Sequence, residues 1–74
     1  MHTSKEIILE LLRHSYSILN KSKKTPIYLK ILNLIKQKIE DHHIPKDVYL
    51  PSTRELSKSL NVSRSTIVRV YNLL

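Results

Sequence analysis

The sequence predicts an all-α, mainly helical fold of four short helices, the first standing apart as an extra N-terminal element. Three observations carry that expectation. Apolar residues recur at three- and four-residue steps in four separate stretches, the period of a helix lying on a core. Each stretch is preceded by residues that cap or open helices. Only Val48-Tyr49-Leu50 reads as a strand, and three residues cannot make a sheet alone.

In the first stretch, Thr3 and Glu6 have the spacing of a capping box, and Ile7, Ile8, Leu11, Leu12, Tyr16 and Leu19 follow at helical steps. A helix is expected over about 4 to 20. Asn20-Lys21-Ser22-Lys23-Lys24 is polar and carries three positive charges ahead of a proline, so it breaks the pattern as a linker. This gives residues 1–24 as an N-terminal helix with a basic linker, and 25–74 as the main domain. Thr25 as N-cap and Pro26 at the first helical position open the second helix, with Ile27, Ile31, Leu34, Ile35 and Ile39 behind them, running to about Asp41. A loop around Pro45 leads into the short strand at 48–50.

Ser52-Thr53-Arg54-Glu55 is a second capping box, opening a short helix over about 53 to 60 whose apolar positions are Leu56 and Leu60. Asn61-Val62-Ser63 closes it: Asn tolerates the left-handed conformation of a helix end, Val62 can plug the core, and Ser63 can cap the next helix. The fourth helix runs from Arg64 to Leu74. Ile67, Val70, Tyr71 and Leu74 share one face, and Ser65, Val68, Arg69 and Asn72 point the other way.

Composition narrows the function. The chain has 74 residues, thirteen Lys plus Arg against six Asp plus Glu, a formal net charge of +7, and neither Gly nor Cys. A domain this small buries only about 60% of the surface its unfolded chain exposes, which leaves no room for a large substrate cleft. No nucleophile elbow or paired-carboxylate spacing appears, so the chain reads as no enzyme. Lack of glycine excludes phosphate-cradling loops and the dinucleotide fingerprint, and lack of cysteine excludes thiolate zinc. His42-His43 are adjacent without a third ligand, so no metal and no cofactor is expected. No apolar run approaches a membrane span and no secretory signal opens the chain, which gives a cytoplasmic address and no membrane partner. The positive charge calls for a polyanion.

Two short helices joined by a three-residue turn, the second presenting short polar and cationic side chains opposite its core face, have the layout of a helix-turn-helix reader of double-stranded DNA. Ser63, Ser65 and Thr66 can donate to phosphates or base edges, and Arg64 and Arg69 can reach phosphates or guanine O6/N7. Val68, apolar on an outward face, suits a thymine methyl.

Leu50-Pro51-Ser52-Thr53-Arg54-Glu55-Leu56, followed by Val62-Ser63-Arg64-Ser65-Thr66-Ile67, resembles the winged helix-turn-helix of GntR-type bacterial transcription regulators, and Pro26-Ile27-Tyr28 is similar to the start of that family's first helix. The resemblance covers about residues 25 to 74. It implies DNA contacts by Arg54 and Arg64, with Ser63, Ser65 and Thr66 assisting. Many members have arginine at the position of Val68, and the Val68 and Tyr71 pairing is closer to the MocR branch, whose DNA-binding domain is fused to an aminotransferase-like, pyridoxal-phosphate-binding domain. Members often have glycine at the positions of His42 and Asp47, both expected at positive φ; His and Asp tolerate that region better than most residues. In the family two wing strands follow the recognition helix, whereas this sequence ends at Leu74, so the resemblance implies an incomplete domain lacking its wing. It further implies a homodimer on a two-part operator, repressing or activating, with an effector bound by a domain outside this chain. An exposed edge at 48–50 and the apolar Leu73-Leu74 end are expected to favour self-association. The alternative is a helical protein-interaction or dimerisation module without DNA binding, worked by the first helix.

Overall fold

The computed structural model describes residues 4–19, 24–45 and 48–74, and these form four helices: α1 (Ser4–Leu19), α2 (Ile27–Glu40), α3 (Thr53–Leu60) and α4 (Arg64–Leu73). α1 packs on α2 and α3, and α4 packs on the same two, so the helices close a ring around one core. Every helix contributes to it: Ile8, Leu12 and Tyr16 from α1, Ile31 and Ile35 from α2, Leu56 and Leu60 from α3, Ile67 and Val70 from α4. The N-terminal helix therefore lies on the domain, its buried residues continuous with the rest. Thr3, the expected cap of α1, lies outside the described residues, as do Asn20 to Lys23 of the linker.

Two expectations about α1 and α4 change. Ile7 and Leu19, placed on the apolar stripe of α1, are 59% and 47% exposed; the buried line is the narrower one through Ile8, Leu12 and Tyr16 at steps of four. Leu74, placed on the core face of α4, is 46% exposed, because the helix ends at Leu73 and its wheel no longer applies.

The start of α2 is shifted by one residue. Pro26 is the N-cap, with ψ of 147°, and not the first helical residue. Lacking an N–H of its own, it acts through its carbonyl, which accepts from the N–H groups of Leu29 and Lys30 at 3.1 and 3.2 Å.

α2 and α3 end in the same way. His42 has φ of 62° and Asn61 φ of 57°, the left-handed region glycine usually fills at a helix end. After α2, the His42 N–H donates to the Ile39 carbonyl at 3.1 Å and the His43 N–H to the Lys38 carbonyl at 2.9 Å. After α3, the Asn61 N–H donates to the Lys58 carbonyl at 3.3 Å and the Val62 N–H to the Ser57 carbonyl at 3.0 Å. Both are Schellman turns, which satisfy the last carbonyls and fold the chain back on its helix. The first drives Ile44 into the core at 1% exposure; the second lays Val62 against it. Ile44 sits in a stretch that reads from sequence as plain loop, and its burial is a consequence of that turn. Asp47, the other position expected at positive φ, lies outside the described residues.

The expected strand at 48–50 does not form. No strand occurs among the described residues; the Val48 N–H bonds only to the Pro45 carbonyl at 3.4 Å, and Tyr49 is 95% exposed. A three-residue extended piece with no neighbouring strand has nowhere to send its backbone groups except water. Tyr28 and Tyr71, by contrast, pack against the core.

Ile44→Ala tests whether the Schellman turn delivers a true core residue. It should cost about 2–5 kcal/mol, as for other fully buried isoleucines, and the urea midpoint should fall accordingly. A loss as small as that of a surface substitution would remove Ile44 from the core.

Candidate nucleic-acid interface

The corner between α3 and α4 is fixed at both ends. At its entrance, the Ser52 hydroxyl accepts from the Glu55 N–H at 3.1 Å and a Glu55 carboxylate oxygen accepts from the Ser52 N–H at 3.1 Å, the reciprocal pair of a capping box. The second carboxylate oxygen takes Lys5 of α1, at 2.8 Å. The Lys5 ammonium first, and the Ser52 donors after it, hold the Glu55 carboxyl down at about 2, well below its ordinary range. Pro51, just before the cap, is buried, and its carbonyl accepts from the Tyr71 hydroxyl at 2.6 Å, across twenty residues of chain. Burial first, with the Glu55 charge second, pushes the Tyr71 hydroxyl up to about 12. Its proton therefore stays in place at any physiological pH, and the end of α4 is tied to the start of α3.

At the turn, Asn61 reverses the chain and Ser63 caps α4, its hydroxyl accepting from the Thr66 N–H at 3.2 Å. The Ser63 hydroxyl also lies 2.7 Å from that of Thr66 and 3.2 Å from that of Ser65. The three hydroxyls form one linked cluster at the N-terminus of α4. Ser63 and Ser65 are exposed and Thr66 is half-buried.

Beyond the cap, Ile67 and Val70 are fully buried, which turns Ser65, Val68, Arg69 and Asn72 outward as the helical period requires. Val68 is 41% exposed. The three arginines go separate ways. Arg54 is exposed on α3, and no side chain among the described residues bonds its guanidinium. Arg64 reaches back to α3, its Nε donating to the Thr53 hydroxyl at 3.3 Å, which leaves its remaining N–H groups free to donate elsewhere. Arg69 turns the opposite way and lies over the Tyr28 ring of α2, with 3.7 Å between the guanidinium carbon and the ring centroid.

All seven residues picked from the sequence thus lie on α3, on α4 or on the turn between them. Ser63, Ser65 and Thr66 are drawn together, Arg54 and Arg64 share the α3 side, and Arg69 is carried across to α2. Three further residues that were not among the sequence candidates organise this surface. Thr53 steadies Arg64, Tyr28 lies under Arg69, and Lys5 meets Glu55 from fifty positions away. Only Thr53 could be suspected, as the residue after a cap.

The charge balance follows from these pairings. Residues 51–74 hold Arg54, Lys58, Arg64 and Arg69 against Glu55 alone. Lys5 compensates that one carboxylate. A rod with short hydroxyls and flexible cations along one side can enter a major groove about 12 Å wide and offer donors to its acceptor-rich edges. No helix among the described residues is long and apolar enough to cross a membrane.

Comparison with known proteins gives an independent view of the same stretch. Residues 27–74 match the family described as bacterial regulatory proteins, gntR family. An uncharacterized HTH-type transcriptional regulator of Bacillus subtilis (strain 168), YhdI, is 45% identical to the chain over 56 residues. The aligned part is 76% of this chain and 12% of YhdI, so the chain spans only a small part of that relative's length. No solved structure matches the chain.

The Glu55 pairing has a pH signature. A carboxyl whose folded pKa is depressed lends stability that is fully present above its ordinary value of 4.5 and is lost as pH falls from there toward 2. Glu55→Gln should therefore melt below the parent chain at pH 7, and the two melting temperatures should converge near pH 2. A gap that stays constant across that window would show that the Glu55 charge contributes nothing.

Proposed function

Since the chain belongs to the gntR family of bacterial regulatory proteins, we propose that it is a sequence-specific, double-stranded DNA-binding domain of a transcriptional regulator, with α4 as the helix that enters the major groove. The observation that carries this reading is the division of α4 into a fully buried side, Ile67 and Val70, and an exposed side that includes hydroxyls, Val68 and the guanidinium groups of Arg64 and Arg69, anchored at one end by the Ser63 cap and at the other by the Tyr71–Pro51 hydrogen bond. A helix so held can present side chains in a fixed register to a duplex, which is what direct readout needs.

The roles differ by position. Arg64, at the N-terminus of α4 and steadied by Thr53, is the candidate for a bidentate contact to guanine; Arg54 on α3 is placed for the phosphate backbone. Ser65 and Thr66 supply hydroxyl donors, and Ser63 serves chiefly as the cap that orients them. Val68 suits the methyl group of thymine, and Arg69 is a further base or phosphate contact. One recognition helix reads only a few base pairs, so we propose that two copies act together on a two-part operator. The domain division at residue 24, the binding of an effector elsewhere in a longer regulator, and a MocR-like affiliation suggested by Val68 and Tyr71 belong to the same proposal.

The test is equilibrium binding to duplexes selected from a randomised pool, at several salt concentrations. Arg64→Ala should cost about 1–3 kcal/mol and relax preference at one position, whereas Arg54→Ala should weaken binding to all sequences alike and lower the salt slope by about 1. No enrichment of any sequence by the parent chain would overturn the DNA-reading assignment.

A further inference from the structure

The contact between Arg69 and Tyr28 joins the outward side of α4 to a helix outside the helix-turn-helix corner. Tyr28 lies in the first turn of α2, half-buried, with its ring packed along the edge of the core. Arg69 is exposed, and no hydrogen bond or ion pair to its guanidinium occurs among the described residues. Its guanidinium lies over the ring face, at 3.7 Å. Ser65, one turn before Arg69 on the same side of α4, and Thr66 line the same shallow groove with Ile27 and Tyr28.

Stacking engages the flat face of a guanidinium and leaves its N–H edge donors pointing outward in the plane. A free arginine samples many rotamers and must give up that freedom when it meets a base edge or a phosphate; one already lying on a ring has less to lose. Resting on the proposed DNA-reading function, we infer that Tyr28 is a positioning residue for DNA recognition: its ring pre-orients Arg69, so that the guanidinium edge reads one fixed position beside the contacts of Ser65. Specificity at that position is then set jointly by α4 and by the first turn of α2.

The experiment is selection from a randomised duplex pool, followed by affinity measurements on the enriched sequence and its single-base variants, for the parent chain and for Arg69→Ala, Tyr28→Leu and Tyr28→Phe. Arg69→Ala and Tyr28→Leu should relax preference at the same base position, each by roughly tenfold, with the other positions unchanged. Tyr28→Phe keeps the ring and should retain the parent preference. In the Arg69→Ala background, Tyr28→Leu should have no further effect at that position. Should Tyr28→Leu fail to fold by circular dichroism, Tyr28→Met takes its place, with the same expectation. The inference is overturned if the ringless variant keeps the parent preference while Arg69→Ala loses it, or if it weakens all positions equally, as a loosened fold would. Absence of any enriched sequence with the parent chain would instead bring down the DNA-reading function and this inference with it.

Discussion

Ile31, Ile35, Leu56, Ile67 and Val70 have no exposed surface at all, and the rest of the structure is arranged around that fact. A chain of this length gains little from burial unless every helix commits a side to one common centre. α4 lies on α2 and α3, and α1 lies on the same two, so each helix meets two others across the common centre. Rotating α4 by even one residue would expose Ile67 and bury a guanidinium or a hydroxyl without partners, at a cost no domain this small can bear. The outward set on α4 is therefore dictated by the inward set. A surface suited to DNA is the complement of a core suited to folding, and both are written in the same ten residues.

Much of this is legible from sequence because the signals are local. Capping residues act within three positions, so Ser52 with Glu55, and Ser63 with Thr66, can be recognised from spacing. Asn61 can be assigned its left-handed turn because few other residues accept it. The helical period separates Ile67 and Val70 from Ser65, Val68 and Arg69 without any knowledge of what they touch. The exposed candidates on α4 emerge for that reason.

What the sequence does not disclose depends on partners far away along the chain. Nothing near Lys5 indicates that it will meet Glu55, and nothing near Tyr28 indicates Arg69; both pairs exist only because the helices close a ring. Ile44 looks like a loop residue because its burial follows from a turn two positions earlier, which takes His42 through a conformation that most residues avoid. Val48 to Leu50 fail in the opposite sense. Their composition suits a strand, but a strand is a relation between two segments, and no second one is available among the described residues. The edges of the apolar stripes, Ile7, Leu19 and Leu74, escape the pattern because a helical wheel has no knowledge of how wide a contact its neighbour offers.

The two left-handed helix ends have one more consequence. With no glycine anywhere in the chain, both reversals rest on side-chain-bearing residues, His42 and Asn61, which accept some local strain in the folded form. In exchange, the denatured ensemble is narrower than that of a glycine-bearing sequence, since each position carries a Cβ that restricts its wandering. Part of what keeps so small a domain folded thus lies outside its contacts altogether, in conformations the loose polypeptide seldom visits.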